Sequence, residues 1–143
     1  MLSKSSKYAI KAVLFLALHS SKENKVMVKD IAEPINVPQA YIAKLLQALV
    51  RDNIISSVRG SKGGFYLTSE NLENSIMRIV KNIDGEDKLT ACMLSMEKCH
   101  EERPCPLHDI LSASRNTILT SLKNKTIRDL TLSVKSGSTF LPL

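Results

Sequence analysis

Residues 28–67 read VKDIAEPINVPQAYIAKLLQALVRDNIISSVRGSKGGFYL, and this stretch decides the fold. Two segments with helical spacing of apolar residues are separated by a turn at 36–38, where a proline suits the start of the second helix. Two short runs of β-favouring residues then flank a loop with three glycines, a pattern typical of a β-hairpin. The order of helix, turn, helix and hairpin predicts a mainly α fold with a small β-hairpin wing, that is, a winged helix-turn-helix.

The second helix of this unit is predicted to have one buried and one exposed face. Its apolar stripe has the spacing i, i+3, i+4, i+7 and i+8 and comprises Ile42, Leu45, Leu46, Leu49 and Val50. The opposite face is small and polar, so it can lie against base edges in a major groove with the helix N-terminus near phosphate. On this helix we predict DNA contacts by Pro38, Gln39, Ala40, Tyr41, Lys44 and Gln47.

The hairpin loop, residues 59–64, reads RGSKGG. Its glycines allow the backbone to approach a ligand closely, and its two cations can follow a phosphate backbone or enter a minor groove. We therefore predict that Arg59, Ser61, Lys62 and Gly63 contact DNA. The alternative is an ordinary surface hairpin whose charges are solvated.

The positive charge of the chain is confined to its first half. Residues 1–68 have ten lysines and arginines against four acidic residues, whereas residues 69–143 have ten against ten. This asymmetry favours a polyanionic partner, without distinguishing DNA from RNA. The absence of Trp and the 4% of aromatic residues make a stacking platform for single strands less plausible.

The length of 143 residues fits one compact domain with an appendage. The apolar segment at 8–18 lacks the features of a signal peptide or a membrane span. It has two apolar stripes with helical spacing, which predict a helix buried on two sides. No phosphate loop, paired catalytic carboxylates or nucleophile–base arrangement is recognisable outside the cysteine segment. These features predict a regulator rather than an enzyme, with no membrane association.

All three cysteines, Cys92, Cys99 and Cys105, lie within residues 86–106, and His108 follows one helical turn after the last of them. An odd number of cysteines without a secretion signal indicates reduced thiols and a cytoplasmic location. Three thiolates and one imidazole can complete a tetrahedral zinc site or hold an iron-sulfur cluster. The residues leave two other hypotheses open: the cysteines bind no metal, or they form a thiol or persulfide switch.

The segment after the cysteines is predicted to be a long amphipathic helix. One face carries Leu107, Ile110, Leu111, Ser114, Ile118, Ser121 and Leu122. We predict that this face packs against its copy in a second subunit, with packing on its own domain as the alternative. A two-fold homodimer would present two recognition helices to a palindromic operator in double-stranded DNA.

The predicted organisation of the chain has four parts. They are a winged helix-turn-helix DNA-binding domain (1–85), a cysteine-containing sensor loop (86–106), a dimerisation helix with a short last helix (107–132) and a flexible tail (133–143). The last helix is predicted from Thr126 and Asp129, which are spaced as a capping box.

The chain resembles the bacterial family of winged helix-turn-helix regulators that includes IscR, NsrR and CymR. The resemblance extends over nearly the whole length, from SKYAIKAVLFLAL near the start to the long helix after the cysteines. Its most specific parts are the SSVRGSKGGFYL wing and the three-cysteine loop. It implies a homodimeric transcription factor with the helix at 38–51 in the major groove and the wing at 59–64 in the minor groove.

The resemblance also implies that the three cysteines hold an iron-sulfur cluster that switches DNA binding. In IscR-like members the fourth ligand is a histidine three residues after the last cysteine, the position of His108, and the cluster is 2Fe-2S. In NsrR-like members an acidic residue near the partner's N-terminus completes a 4Fe-4S cluster. The corresponding positions here are Ser5, Ser6, Lys7 and Tyr8. A 2Fe-2S cluster is therefore expected rather than 4Fe-4S.

Two positions depart from the IscR-like pattern. Six residues separate Cys92 from Cys99 where IscR-like members have five, and Ala43 stands where they carry a glutamate in the recognition helix. The resemblance equally allows a cluster-free, CymR-like regulator that senses a thiol metabolite or a partner protein. In that case the cysteines would form a thiol switch or a zinc site.

Overall fold

The computed structural model describes residues 2–94 and 98–143. Met1 of the predicted DNA-binding domain and residues 95–97 of the predicted sensor loop lie outside the described residues. The elements in the described ranges are α1 (Lys4–His19), α2 (Val28–Ile35), α3 (Gln39–Arg51), β1 (Ser56–Val58), β2 (Gly64–Tyr66), α4 (Ile76–Asp84), α5 (Glu86–Thr90), α6 (His108–Asn124) and α7 (Ile127–Lys135). This architecture, mainly helical with one antiparallel hairpin, confirms the predicted fold class.

Helix α1 lies at the centre of the domain. It packs against α2, α3, α4 and α7, and Ala9, Ala12, Val13 and Leu16 have no solvent-exposed surface. Burying a leucine side chain such as that of Leu16 contributes about 1.5–3 kcal/mol. The apolar N-terminal segment is therefore the core helix against which the helix-turn-helix and the wing pack.

The helix-turn-helix forms at the predicted place. Helix α2 ends one residue after Pro34, and the chain then turns at Asn36, which adopts the left-handed conformation with φ 58° and ψ 52°. Asparagine tolerates this conformation better than most residues do. On α3 the residues Ile42, Leu45, Leu46 and Leu49 are buried. The sequence stripe thus identifies the core face, and the opposite face of α3 is left for a partner.

The wing is a short hairpin whose base is fixed to the domain. Its strands pair Ser56 with Tyr66, Ser57 with Phe65 and Val58 with Gly64. Phe65 also exchanges backbone hydrogen bonds of 2.8 and 2.9 Å with Val26, which precedes α2. These contacts fix the position of the wing relative to the start of the helix-turn-helix.

A buried asparagine joins the two ends of the hairpin. The Asn71 side chain accepts hydrogen bonds from Ser56 Oγ at 2.8 Å and from the Thr68 amide at 3.0 Å, and it donates to the Asn53 carbonyl at 3.1 Å. A buried polar group with its partners satisfied specifies one arrangement of its surroundings. Asn71 therefore sets the angle at which the wing leaves the core.

The wing loop depends on Gly63. A Cβ atom at this position would lie 2.1 Å from the carbonyl oxygen of Val58, which is backbone and cannot move aside cheaply. We expect Gly63→Ala to destabilise the protein by about 1–3 kcal/mol, the usual cost of overpacking. Urea unfolding measures this change. Ser61→Ala in the same exposed loop is the control and should stay within about 0.5 kcal/mol of the parent; equal stability of both variants would contradict the tight turn.

A second, smaller core lies beside the first. Met77 and Val80 of α4 and Leu89 of α5 are buried there, and Leu119 and Leu122 of α6 pack against them. This core connects the start of the predicted sensor loop to the long helix. The capping box of α7 forms between Thr126 and Asp129, as the sequence predicts.

The C-terminal segment follows α7, which ends at Lys135, and Leu141 of this segment packs against the main core. Among the described residues, no helix combines the length and the apolar character needed to cross a bilayer.

Candidate functional site

The predicted DNA-reading residues lie on one surface made by α3 and the wing. Exposed among them are Pro38, Gln39, Ala40, Tyr41, Lys44, Gln47, Arg59, Ser61 and Lys62, whereas Gly63 is buried in the turn. Gln47 and Arg51 of α3 and Arg59 of the wing line one shared groove. The helix and the wing thus form a continuous concave surface.

The N-terminus of α3 opens onto this surface without a side-chain cap. Its N-cap is Pro38, which offers no side-chain acceptor to the first amides of the helix. The first amides of a helix have no partner within the helix and carry partial positive charge. This helix end therefore has the chemistry that binds a phosphate group.

The cations of this surface are not used in ion pairs. In residues 2–94 and 98–143 the ion pairs are Arg78–Asp52, Lys81–Glu86, Lys98–Asp87 and Arg128–Glu73. None of them involves Lys44, Arg59 or Lys62. These side chains are therefore free to contact the phosphates of a nucleic acid.

Tyr41 has a second role that sequence reasoning missed. Its hydroxyl lies 2.7 Å from Ser5 Oγ, and its ring meets Tyr8 edge-on at a centroid distance of 6.0 Å. Both partners belong to α1. The start of α3 is therefore attached to the N-terminal turn of the central helix.

That N-terminal turn is itself attached to the end of α4, where the cysteine segment begins. Asp84 accepts hydrogen bonds from the Ser3 amide at 3.2 Å and from Ser3 Oγ, and Ser3 in turn caps α1. Burial raises the pKa of Asp84, but the hydrogen bonds from Ser3 and the charge of Lys88 outweigh it, so this pKa lies below its ordinary value. Ser3, Ser5 and Asp84 link the cysteine segment to α3 through long-range contacts that no local sequence pattern signals.

The four predicted metal ligands come together. Cys92, Cys99, Cys105 and His108 all line one small cavity. Cys92 Sγ lies 3.5 Å from Cys105 Sγ, and Cys99 Sγ lies 3.0 Å from His108 Nδ1. His100 is exposed and does not line this cavity.

The backbone explains how the four side chains meet. Ala91 and Lys98 form an antiparallel bridge, which returns the chain so that Cys92 and Cys99 line the same cavity. The His108 amide donates to the Cys105 carbonyl at 2.9 Å, and α6 begins at His108. The turn before α6 thus places its first side chain in the cavity that the last cysteine also lines.

The donors form two pairs rather than one set of four. In the described part of the chain, no group of three or more His, Cys, Asp or Glu side chains is arranged to hold a metal ion. Two sulfur ligands of one tetrahedral metal, each at about 2.3 Å, lie about 3.7 Å apart. The Cys92–Cys105 pair has close to this spacing, whereas Cys99 and His108 lie at hydrogen-bond distance. Thiolates and imidazole are donors found in iron-sulfur sites.

Helix α6 has an unpartnered face of small and apolar residues. No residue of α6 is buried. Its exposed residues include a stripe with helical spacing, namely Ile110, Ala113, Ser114, Thr117, Ile118 and Ser121. Ile110 is 68% and Ile118 39% exposed, and the stripe contains no charge. Leu119 and Leu122 instead face the domain, so the two sides of the helix are clearly distinct.

Comparisons with known proteins agree with this arrangement. The Rrf2 family profile, described as "Iron-dependent Transcriptional regulator", matches residues 2–132. A putative HTH-type transcriptional regulator of Aquifex aeolicus (strain VF5) is 31% identical over 130 residues, covering 90% of this chain and 89% of the relative.

One further similarity is in sequence and another is in structure. The HTH-type transcriptional regulator IscR of Pectobacterium atrosepticum is 29% identical over 129 residues, covering 90% of this chain and 77% of the relative. The structure of CymR, the global cysteine regulator of B. subtilis, superposes with a TM-score of 0.73 at 21% identity, covering 92% of this chain and 96% of CymR. At that identity the likeness to CymR concerns the fold alone.

Proposed function

The chain belongs to the Rrf2 family of transcriptional regulators, and from this premise we propose that it is a homodimeric regulator whose operator binding is switched by a 2Fe-2S cluster. Members of this family are DNA-binding regulators and not enzymes. The observation that carries the finer proposal is the meeting of Cys92, Cys99, Cys105 and His108 at one cavity as two donor pairs. We propose that the protein acts in the cytoplasm, where thiols stay reduced.

We propose that α3 enters the major groove and the wing the adjacent minor groove of double-stranded DNA. The exposed polar face of α3, its uncapped N-terminus and the unpaired cations of the wing support this mode. Base edges in the major groove would be read by Gln39, Lys44 and Gln47. Arg59 and Lys62 would neutralise phosphates or enter the minor groove.

Removal of either cation tests this mode of binding. We expect Lys44→Ala and Arg59→Ala each to weaken operator binding by about 1–3 kcal/mol, that is, about 5- to 160-fold. The probe is a duplex selected by the parent protein from a random library, titrated by fluorescence anisotropy at several salt concentrations. Lys135→Ala, on α7, is the control and should bind like the parent. Parent-like affinity and salt dependence of both variants would refute the proposed surface.

The proposed homodimer uses the exposed stripe of α6. A second copy of the same stripe would cover Ile110 and Ile118 in both subunits, as a two-fold interface requires. Small residues between the two isoleucines allow the helices to approach closely. Two α3 helices would then face successive major grooves, so the operator is proposed to be palindromic.

The proposed cluster site assigns one donor pair to each iron. Cys92 and Cys105 would hold one iron, and Cys99 and His108 the other. Two separate pairs suit a two-iron cluster better than a single zinc ion, which needs four donors around one point. When bound, such a cluster supplies a centre that changes with iron supply, oxidation or nitric oxide.

The switch is proposed to act through contacts of the chain itself. With all four side chains bound to the cluster, the cysteine segment would be tied to the start of α6, and Arg115 Nη1 of α6 reaches the Ala91 carbonyl at 3.5 Å. Releasing these side chains loosens that segment and the start of α6. The contacts of Asp84 with Ser3 and of Ser5 with Tyr41 then connect the change to α3. A switch requires that the two states differ in free energy of operator binding.

The first experiment is an anaerobic reconstitution followed by iron and sulfide analysis. We expect visible charge-transfer absorption with about two irons and two sulfides per chain. Operator titrations with the loaded and the metal-free protein then test the switch. A colourless protein without iron would overturn the cluster and leave the dimeric DNA-binding regulator in place.

A cluster-free, CymR-like regulator is the second candidate. The 3.5 Å separation of the Cys92 and Cys105 sulfurs favours it, because two neighbouring thiols suit a thiol switch. In this case the thiols would form a zinc site or sense a thiol metabolite or a partner protein. It predicts that iron and sulfide leave operator affinity unchanged, whereas thiol reagents alter it.

A further inference from the structure

Two of the three thiols are placed to react with each other. Cys92 and Cys105 are 13 residues apart in the chain, yet their Sγ atoms lie 3.5 Å apart. A disulfide bond is about 2.05 Å long, so the sulfurs must approach by about 1.5 Å. Both residues lie outside helices and strands, between the end of α5 and the start of α6. Rotation of the side chains and a small adjustment of these segments can supply the approach.

The third thiol is directed elsewhere. Cys99 Sγ contacts Nδ1 of His108, the first residue of α6, at 3.0 Å. This contact of the thiol is therefore with a ring nitrogen rather than with a sulfur. Cys99 also faces a second, more polar cavity that includes Lys98, Arg115 and Asn116. The three cysteines are therefore not equivalent, although their spacing in the sequence gives no preference for any pair.

We infer that Cys92 and Cys105 form an intramolecular disulfide when the metal-free protein meets a hydroperoxide, and that Cys99 remains a thiol. This oxidation is a modification of the proposed cluster site. Because it consumes both sulfurs of one donor pair, oxidation and metal binding exclude each other. That consequence rests on the proposed function, whereas the disulfide itself requires no metal.

The chemistry balances with one hydroperoxide per chain. One thiol sulfur of the pair attacks a peroxide oxygen, the O–O bond breaks, and the leaving oxygen takes a proton to become an alcohol, or water from hydrogen peroxide. The resulting sulfenic acid is attacked by the second thiol sulfur. The S–S bond forms, the S–O bond breaks and water leaves. Two thiols lose two electrons in total, and the peroxide gains them.

The test uses the full-length, metal-free chain purified without oxygen in the presence of a chelator. One equivalent of hydrogen peroxide should lower the number of titratable thiols from the three present in the sequence to one. The intact mass should fall by two hydrogen atoms, and the protein should remain a single chain on a non-reducing gel. Cleavage after glutamate separates Cys99 from Cys105, which share one tryptic peptide. The linked peptides should contain Cys92 and Cys105, with Cys99 alkylated.

Matched variants guard against an indirect effect. Cys99→Ser should still form the disulfide at the parent's rate, whereas Cys92→Ser and Cys105→Ser should not form it. Sulfenic acid or a disulfide at Cys99 of the parent, a linkage between two chains, or three remaining thiols would each overturn the inference. Far-ultraviolet circular dichroism checks that the variants are folded.

Metal uptake separates this inference from the proposed function. If both hold, the oxidised chain binds no iron on reconstitution without reductant, and dithiothreitol restores uptake to about two irons per chain. Equal iron uptake by oxidised and reduced chains would overturn the shared site while leaving the mapped disulfide intact. Normal iron uptake by the reduced chain, without a Cys92–Cys105 bond after oxidation, would overturn the inference alone.

Discussion

Ile118→Glu is expected to convert the proposed dimer into monomers and to weaken operator binding by about 100-fold or more. In the isolated chain the Ile118 side chain is 39% exposed, so a glutamate at this position stays solvated and the fold is retained. In the proposed dimer the same carboxylate and its symmetry mate would be buried without partners. Burying an unpaired charge costs several kcal/mol, so the dissociation constant of the dimer should rise by about 1000-fold or more.

Light scattering coupled to size exclusion measures this effect. The parent should have twice the chain mass of 15.8 kDa, and the variant should have that mass once. Operator affinity should fall by about 100-fold or more, because a monomer reads one half-site and loses the contribution of the second.

The control for this prediction is Asn116→Glu. Asn116 is exposed on the same helix but lies outside the stripe of Ile110 to Ser121, so the substitution adds the same charge away from the proposed interface. It should remain dimeric and bind its operator. A dimeric Ile118→Glu protein would show that α6 is not the interface, and monomers in both variants would show a general effect of charge on this helix.

Local sequence patterns sufficed for the elements that carry the DNA-reading surface. The stripe from Ile42 to Leu49 identifies the buried face of α3, because helical periodicity is a property of neighbouring residues. The hairpin follows equally from the glycines of its loop and from the β-favouring residues Val58, Phe65 and Tyr66. Winged helix-turn-helix order could therefore be predicted without knowledge of any distant contact.

The contacts that position this surface could not be predicted in the same way. The pairing of Val26 with Phe65, the Asn71 network and the contact of Ser5 with Tyr41 all join residues far apart in the chain. Each depends on tertiary packing, and a serine or an asparagine in a surface segment has many equally good local partners. The partners of these residues are therefore determined by the fold and cannot be recognised from the neighbouring sequence.

The cysteine site lies between these two cases. Residue types alone indicated that three thiols and His108 suit a metal, and the structure brings all four to one cavity. The pairing within the site was not predictable, because the sequence positions alone do not show whether Cys92 or Cys99 lies next to Cys105. The bridge between Ala91 and Lys98 and the turn before α6 decide which atoms are neighbours.

Cys99→Ala is expected to abolish the cluster while leaving the fold and the dimer intact. Removing this thiolate leaves His108 as the sole donor of its pair, and one imidazole does not hold an iron of a cluster whose other ligands are sulfur. Cys99 is only partly buried and belongs to neither hydrophobic core, so the stability cost should stay below about 1 kcal/mol. Iron and sulfide should fall from about two per chain to none after anaerobic reconstitution.

The same variant tests the switch, because its operator affinity should equal that of the metal-free parent under all conditions. Coupling between two sites usually changes affinity by about 5–150-fold. We expect iron to change the operator affinity of the parent within this range and to leave that of Cys99→Ala unchanged. His100→Ala is the control: His100 is the adjacent residue, is exposed and lies outside the cavity, so this variant should keep both cluster and response. A Cys99→Ala protein that still responded to iron or nitric oxide like the parent would place the sensor elsewhere. Loss of the cluster with retained Cys92–Cys105 oxidation would instead show that cluster binding needs Cys99, whereas disulfide formation needs only Cys92 and Cys105.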